Sequence, residues 1–366
     1  MKNILAHSTA RAAVALAIVF GGLTTFTHAA DIGTANLQLP VAVVANKQKV
    51  IGAVLARPVL AKGDVLTTVT GVNQFTTTLM STDLTVASFV PVSTAIAGWT
   101  GDWNLAPASD NHYIVEFTSG PNTGLIKRVT RFAALATPST TSCVVTVDGN
   151  LPTIDAGTRF VVRKDHTLAS LFGDQTGSSA SGITSGNSAG QSDQFGIFDS
   201  AGKLVRFFLR VGSTQGWKNS ADRDGVIRNF VRVSMGTGVL MNPVTTKTIY
   251  LNGEYRGTRS KITVSTVNSF LANPYPVAVT LDNSGLADYV TKSSSAGSAD
   301  EFRFMENGKF ISYFSNSSKE FKLSSDRGGL SQGTKEIARG EGFAFKKVGS
   351  AALTRDIAWA PQYLAQ

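Results

Sequence analysis

Short apolar runs with turn residues at their ends dominate the chain. The runs are rich in β-branched and aromatic residues, and Gly, Pro, Asn or Asp bound most of them, which is typical of β-strands joined by turns. The clearest runs are residues 41–44, 65–69, 113–117, 143–147 and 160–162. The sequence therefore predicts a mostly β fold: an N-terminal β-sandwich or barrel, followed by a duplicated β-hairpin-containing unit.

Local signals predict two connections. Residues 119–124, Ser-Gly-Pro-Asn-Thr-Gly, are a turn sequence between a strand at 113–118 and one at 125–131. Residues 167–172 predict one short helix, because Gly173 follows as a stop signal.

A strand–turn–strand pattern occurs twice in the C-terminal half. The first copy starts with Asp-Gln-Phe-Gly-Ile-Phe at residue 193, and the second starts with Asp-Glu-Phe-Arg-Phe-Met at residue 300. Each copy reads as a β-hairpin, with turns at 200–202 and 307–308, and a Gly-x-Gly strand follows it at 236–238 or 340–342. The pattern predicts a duplication of residues 193–241 and 300–345.

Strand periodicity predicts the faces of these hairpins, because alternate residues of a strand share a face. The residues expected in the core are Phe195, Ile197, Phe302 and Phe304. The residues expected to face outward are Gln194, Gly196, Glu301 and Arg303.

The chain length of 366 residues exceeds the roughly 100–200 residues of one domain. Residues 175–192 are rich in Ser and Gly, which is typical of a flexible linker or a long loop. We therefore predict a signal peptide over 1–29, an N-terminal β domain over 30–174, a Ser/Gly-rich linker over 175–192 and a C-terminal β region over 193–366.

The N-terminus has the features of a secretory signal peptide. Lys2 and Arg11 supply positive charge ahead of an apolar stretch at 12–23. Thr27-His28-Ala29 offers a cleavage site, with cleavage between Ala29 and Ala30 preferred and between Ala30 and Asp31 next. The apolar stretch is shorter than the about 20 residues of a spanning helix. We expect a protein that is secreted, at the cell surface or in the periplasm, with no membrane span after cleavage.

The positive charge is concentrated in the C-terminal half. The formal net charge is +9, and residues 199–261 hold 11 basic and 4 acidic residues. Arg206, Arg228 and Arg232 are candidate contacts for an anionic polysaccharide or another anionic surface component. Nucleic acid is not expected as a partner of an exported protein, and a set of solvated strand faces is the alternative interpretation.

Two tryptophans are candidates for stacking on sugar rings. Trp99 and Trp103 flank Thr-Gly-Asp, and packing inside the β domain is their alternative role.

The sequence contains motif-like arrangements of catalytic residue types, but each lacks an essential part. Ser188 lies in Gly-Asn-Ser-Ala-Gly, but in a Ser/Gly-rich segment without the strand and helix of a nucleophile elbow. His112 and His166 both precede that serine and are too few for a zinc site. The sequence therefore predicts no enzyme, no cofactor and no metal centre.

A turn and a cysteine complete the candidates. Asp222 and Asp224 precede Gly225 with the spacing of a calcium loop, but the twelfth position is Val231 instead of a carboxylate, and a polar turn is the favoured interpretation. Cys143 is the only cysteine, so the fold has no internal disulfide, and a strand position favours a small buried residue.

The chain resembles a family of uncharacterised, exported, β-rich proteins of environmental, verrucomicrobial-type bacteria. The resemblance lies in residues 113–120 with Gly124, in 157–163, in 167–173, in both hairpins and Gly-x-Gly strands, and in Asn-Pro-Tyr-Pro at 273–276 leading to Thr280-Leu281. His166 departs from the family, which has an aromatic residue there. The resemblance implies export and a β-rich fold, and it implies no activity.

Together these features predict an exported, non-catalytic structural or cell-surface β protein. An extracellular glycan- or polyanion-binding module is the alternative.

Overall fold

A computed structural model describes residues 37–53, 55–81, 112–134, 142–173, 182–199, 201–212, 215–254, 259–264, 267–275, 277–349 and 355–359. The strands are β1 (Leu37–Val43), β2 (Lys49–Gly52), β3 (Val59–Val65), β4 (Gln74–Ser81), β5 (Tyr113–Phe117), β6 (Leu125–Ala134), β7 (Ser142–Val147), β8 (Arg159–Lys164), β9 (Gln194–Phe198), β10 (Leu204–Arg210), β11 (Gly216–Asn219), β12 (Gly238–Asn242), β13 (Lys247–Gly253), β14 (Ser260–Val264), β15 (Asn268–Ala272), β16 (Val279–Thr280), β17 (Glu301–Glu306), β18 (Lys309–Ser315), β19 (Phe321–Leu323), β20 (Glu336–Ile337), β21 (Gly342–Lys346) and β22 (Arg355–Trp359). One α-helix, α1, spans Leu168–Phe172, and short 3-10 turns lie at Ala189–Gln191, Asp282–Ser284, Leu286–Asp288 and Ala296–Ser298.

The predicted mostly β fold is confirmed. Strands β3–β8 close into a six-stranded antiparallel barrel with the order β6-β5-β8-β3-β4-β7, because β7 pairs with both β4 and β6. Three phenylalanines, Phe75, Phe117 and Phe160, contact one another inside the barrel at ring distances of 5.2–6.3 Å. Closure leaves neither of the two joining strands as a free edge.

The first sheet has the strand order β11-β10-β9-β12-β2. Its core face packs against a two-stranded ribbon of β1 and β13, which we call the first ribbon, and against α1. Phe195 and Trp217 meet edge to face at 5.1 Å, and Phe172 of α1 contacts both rings. Aromatic rings from strand and helix therefore fill the centre of this layer.

The second sheet has the strand order β19-β18-β17-β21-β15, which matches that of the first sheet strand for strand. A second ribbon, β14 with β22, covers its core face. Phe302, Phe343 and Trp359 pack there at ring distances of 5.5–5.9 Å. β14 also pairs in parallel with β6, so the second ribbon extends the sheet of the barrel.

The two sheets contact each other through reciprocal hydrogen bonds. Gly52 N of β2 donates to Gly340 O (3.0 Å), and Ala272 N of β15 donates to Gly236 O (3.1 Å). Phe198 of the first sheet also stacks on Phe270 of the second, with ring centres 4.5 Å apart. Each Gly-x-Gly segment thus contacts the edge strand of the other sheet, β15 for the first and β2 for the second.

The predicted hairpins form as β9–β10 and β17–β18. Asn307 and Gly308 have φ values of 49° and 78°, as expected for a two-residue hairpin turn. Thr167 caps α1, and Gly173 ends it with a φ of 84°. The turn at 119–124 joins β5 to β6. Local turn chemistry therefore predicted these connections correctly.

The expected core residues Phe195, Ile197, Phe302 and Phe304 are all buried. The outward expectation is wrong for two of the intervening residues, because Gly196 is buried and Glu301 is only 9% exposed. A Cβ on Gly196 would lie 2.9 Å from Leu204 and 3.5 Å from Leu240. These hairpins are covered on both faces, since their reverse face lies where the two sheets contact each other.

Strand pairing crosses the predicted boundary between the N-terminal β domain and the C-terminal β region. β1 and β2 precede residue 174, yet they pair with β13 and β12. Both regions lie in one compact unit, Ala35–Gln366. Of the predicted linker, residues 182–192 are described, and they end in the 3-10 turn before β9. No helix in the described ranges is long and apolar enough to cross a membrane.

Candidate functional site

The three candidate arginines lie in different environments. Arg206 is exposed on β10, and Arg228 is half-buried beside β11, where its backbone N–H donates to Trp217 O at 2.7 Å. Arg232 is only 5% exposed. The structure therefore corrects the interpretation of Arg232 as a surface contact: its guanidinium faces inward, and only Arg206 of the three is fully at the surface.

Arg232 belongs to a buried polar junction, which we define as Arg128, Asp165, His166, Arg232 and Ser234. Arg128 Nε donates to Ser234 Oγ (2.9 Å), and Ser234 Oγ donates to Asp165 Oδ2 (2.8 Å). Burial lowers the pKa of Arg232 to about 10, the charge of Arg128 adds to that lowering, and the charge of Asp165 opposes it. The junction connects the barrel strand β6 to the segment before β12 by charge-assisted hydrogen bonds.

The two candidate histidines are buried as well. His166 Nε2 lies 2.6 Å from Leu55 O, and its backbone N–H donates to Asp165 Oδ1 at 3.0 Å. His112 is 1% exposed, and its carbonyl accepts from Asp165 N (2.7 Å). Within the described ranges, no group of three or more His, Cys, Asp or Glu side chains is placed to hold a metal ion.

A second ionic cluster joins the barrel to the end of the first ribbon. Arg163 of β8 contacts Glu254 Oε2 at 2.7 Å and Glu116 Oε2 at 3.4 Å, and it also donates to Arg57 O at 2.6 Å. All three charged side chains are at least 90% buried. Removal of Arg163 would leave two carboxylates buried without this counter-charge, which is strongly destabilising.

Two buried aspartates hold the strand ends in place, and sequence reasoning did not assign them a role. Asp193 accepts from Thr184 N (2.8 Å) and Val244 N (2.9 Å), and it pairs with Lys247. Asp300 accepts from Thr291 N and Val348 N, both at 2.8 Å. Each carboxylate thus ties the segment before its hairpin to the segment after its Gly-x-Gly strand. The sequence does contain a signal for this shared role, because the pattern Ser-Ala-Gly-x-x-Asp ends at Asp193 and again at Asp300.

Ser188 does not lie in a nucleophile elbow. It precedes the 3-10 turn Ala189–Gln191, and the described residues before it, 182–187, belong to no strand. Its carbonyl accepts from Gln191 N (3.1 Å) and from Ser192 Oγ (2.8 Å). The Gly-x-Ser-x-Gly match is therefore part of a turn.

The candidate calcium loop is a turn held by a lysine. Lys218 Nζ donates to Gly225 O, and in the second sheet Lys322 Nζ donates to Gly329 O at 2.8 Å. An ammonium group thus bonds a backbone carbonyl of the turn in both sheets. Arg210 and Arg223 both contact Asp224, and their hydrogen bonds lower the pKa of that carboxyl.

The remaining predicted features lie wholly or partly outside the described residues. Trp99 and Trp103 lie outside the described residues, as does the predicted signal peptide. Cys143 lies in β7, opposite Thr77 and Ala134, but its side chain is outside the described part.

Comparison with known proteins gave no relatives. No family model matches the chain, and neither a curated protein nor a solved structure matches it.

Proposed function

We propose that this is an exported, non-catalytic structural or cell-surface β protein. The observation that carries the proposal is the use of its buried titratable side chains as internal cross-links. Asp165, Asp193 and Asp300 are fully buried. Asp193 and Asp300 each accept backbone N–H groups of two other segments, and Asp165 accepts the hydroxyl of Ser234. A carboxylate held this way stabilises a fold and is poorly placed to exchange protons with a substrate.

We further infer that each sheet with its ribbon is a copy of one seven-stranded unit. The matching strand orders, the reciprocal bonds of Gly52 and Ala272, and the equivalent roles of Asp193 and Asp300 support this inference. In the first copy the barrel is inserted between β2 and β9, and in the second a short segment joins β15 to β17.

Export is tested by fractionation of the producing cell and N-terminal sequencing of the protein in each fraction. We expect the protein outside the cytoplasm with Ala30 or Asp31 at its N-terminus, as the resemblance to exported β-rich proteins also implies. Retention of Met1 in a cytoplasmic fraction would overturn the proposal. Treatment of intact cells with protease then separates a surface location from a periplasmic one.

The alternative function, binding of an anionic polysaccharide, depends on Arg206 and Arg228. Arg206 is exposed, and a contact through it should weaken as salt screens the charges. We expect salt-dependent retention on an anionic matrix that falls in an Arg206→Glu/Arg228→Glu variant. If the variant is retained as strongly as the wild-type protein, these arginines are solvated surface residues and do not bind the polysaccharide. Arg232 is unsuitable for this test, because a buried glutamate there would disturb the polar junction.

A further inference from the structure

One face of the first ribbon is open to solvent. The pairing of β1 with β13 places six exposed residues there as three opposite pairs: Gln38 with Asn252, Pro40 with Tyr250, and Ala42 with Thr248. The residues that alternate with them face the core and are buried: Leu39, Val41, Ile249 and Leu251. We call the six exposed residues the ribbon face.

The ribbon face has no charged side chain, and in this it differs from the outer face of the second ribbon. There Lys261 forms an ion pair with Asp356 at 3.4 Å, and Ala358, which lies opposite Lys261, is buried. Solvated protein surface normally carries charges of both signs. The first ribbon therefore presents an open, neutral strip that its counterpart lacks.

The charged residues next to the ribbon face are bonded elsewhere or lie beyond the strands. Lys49 Nζ donates to the backbone oxygen of Ala42 (3.2 Å), and Lys247 pairs with the buried Asp193. Lys47 is exposed, but it lies in the turn after β1. A ligand on the ribbon face would therefore meet rings, amides and hydroxyls.

The ribbon face combines ring surface with free polar groups. Tyr250 is 36% exposed and lies opposite Pro40, so the two rings are neighbours on one surface. Gln38 and Asn252 flank this pair at one end, and Thr248 flanks it at the other. The side chains of Gln38, Thr248, Tyr250 and Asn252 form no hydrogen bond with the residues that the structure describes. Their polar groups are thus available to a ligand.

We propose that the ribbon face binds a neutral, extended polysaccharide whose sugar rings stack on Tyr250 and Pro40. A sugar ring has apolar C–H faces and a rim of hydroxyl groups, and an aromatic ring beside a few placed polar groups is suited to both. An acidic polysaccharide would instead need basic side chains on the face. The proposal rests on the proposed surface role, because it names what an exported surface protein would hold.

The size of the ribbon face argues against a folded protein as its occupant. Its two strands have seven residues each. They cover a strip about 24 Å long and about 10 Å wide, a footprint of about 240 Å². Each partner in a stable protein complex buries about 800 Å². A narrow strip suits a single extended chain.

The strand edges argue against a peptide that adds a strand. Pro40 has no N–H to offer at the outer edge of β1. At the outer edge of β13, Gly182 lies against the backbone oxygen of Thr248, because a Cβ on Gly182 would lie 2.8 Å from that oxygen. Strand addition needs a row of open backbone groups, so the side chains of the ribbon face are what a ligand can reach.

Depletion from solution tests the proposal. The full-length mature protein is incubated with three insoluble, neutral, β-linked polysaccharides: microcrystalline cellulose, chitin and β-mannan. The unbound fraction is measured by absorbance. We expect depletion by at least one of them, because all three present sugar rings along an extended chain. High salt should leave the binding unchanged, since no charged side chain of the ribbon face takes part.

Variants of the ribbon face locate the binding. Tyr250→Ala should weaken it about tenfold, because the apolar stacking surface is lost, and Tyr250→Phe should bind like the wild-type protein, because the ring remains. Gln38→Ala/Asn252→Ala should weaken it about fivefold through lost hydrogen bonds. Tyr289→Ala is the matched control: this tyrosine is 39% exposed but follows the 3-10 turn Leu286–Asp288. Circular dichroism verifies that each variant is folded at the assay temperature.

Three results would each overturn the proposal: wild-type protein that none of the polysaccharides depletes, binding that high salt abolishes, and normal binding of Tyr250→Ala. A Tyr250→Ala variant that loses self-association in light scattering, and not polysaccharide binding, would assign the ribbon face to a second copy and overturn it as well. Cell fractionation is independent of all these measurements, so failure here leaves the proposed export to be tested by itself.

Discussion

The first and second sheets share a frame but differ in what completes it. In the first, α1 contributes Phe172 to the core beside Phe195 and Trp217. In the second, the 3-10 turn Leu286–Asp288 contributes Leu286 in place of a full helix. The two sheets therefore share their strand order and their buried aspartates, whereas the segment that covers the core face differs. A helix and a 3-10 turn can both fill that place because each supplies apolar volume.

The two ribbons differ at one strand edge, and the first ribbon has a proline at the corresponding position. Lys261 N of β14 donates to Gly124 O (2.9 Å) and so joins the second ribbon to the barrel. The matching residue of β1 is Pro40, since Leu39 and Val41 approach Gly340 as Ser260 and Ile262 approach Gly236. Proline has no N–H to donate, so the same edge is blocked in the first ribbon.

The largest expected effect on the free energy of unfolding comes from removal of the two equivalent aromatic rings in the core. Phe195→Ala and Phe302→Ala should each cost roughly 3–5 kcal/mol, as for a buried aromatic residue, because both rings are fully buried. Phe310→Ala on the second hairpin is the control: that ring is 41% exposed, and its loss should stay within about 0.5 kcal/mol. Denaturant unfolding measures all three. A large cost for only one of the two buried rings would break the equivalence of the sheets.

The next effect concerns the two buried aspartates. Asp300→Ala removes the acceptor of two backbone hydrogen bonds, and bonds to a charged group contribute about 1.5–3 kcal/mol each, so we expect a loss of about 3 kcal/mol. Asp193→Ala also removes two backbone bonds and leaves the largely buried Lys247 without this carboxylate, so it too should cost at least about 3 kcal/mol. Asp288→Ala is the control, since that residue forms an exposed ion pair with Lys319, worth about 1 kcal/mol or less. Aspartate variants as stable as this control would contradict the shared role.

The Gly-x-Gly strands provide a sharper comparison. A Cβ on Gly342 would meet the backbone oxygen of Leu271 closer than real Cβ contacts allow, whereas on Gly238 it would lie 3.1 Å from the oxygen of Ile51. Overpacking costs about 1–3 kcal/mol, so Gly342→Ala should fall near the upper end and Gly238→Ala near the lower. Thermal unfolding of both variants in parallel measures this order, and the reverse order would contradict the register of the two sheets.

The smallest effect is a pH dependence confined to the second sheet. Burial alone would raise the pKa of Glu306, but hydrogen bonds from Lys335 and Tyr313 outweigh it and lower that pKa. The ionised Glu306 therefore stabilises the fold above its unfolded pKa, and this contribution is lost as pH falls through the lower folded pKa. Glu306→Gln should cost below about 1 kcal/mol at pH 7, as for a partly exposed pair, and the difference should vanish in acid.

The pKa of Tyr313 provides an independent test of its contact with Glu306. Burial and the neighbouring Glu306 raise the pKa of Tyr313 to about 12. Absorbance titration should show this phenol ionising late, and earlier in Glu306→Gln. An unchanged titration would show that Glu306 does not act on it. The equivalent residue of the first sheet is Phe207, so no matching transition is expected from that position.

Several local features were predictable because neighbouring residues decide them. Asn307-Gly308 favours positive φ and so specified a hairpin turn, and Thr167 with Gly173 bounded α1. The burial of Glu301 and Gly196 was not predictable from strand periodicity, since that pattern assumes one solvated face. The inward position of Arg232 was equally hidden, because a positive charge in a basic stretch normally indicates surface.

The β class, the hairpins and their inward rings follow from the amino-acid pattern alone, because two-residue alternation and turn chemistry act over a few neighbouring positions. The sequence also contains the second copy of Ser-Ala-Gly-x-x-Asp, which marks both buried aspartates. The pairing of β1 with β13 in the first ribbon and of β2 with β12 in the first sheet, across the inserted barrel, is a result of the tertiary fold. Pairing between strands separated by more than a hundred residues depends on which faces and edges meet after folding, and no local pattern encodes that choice.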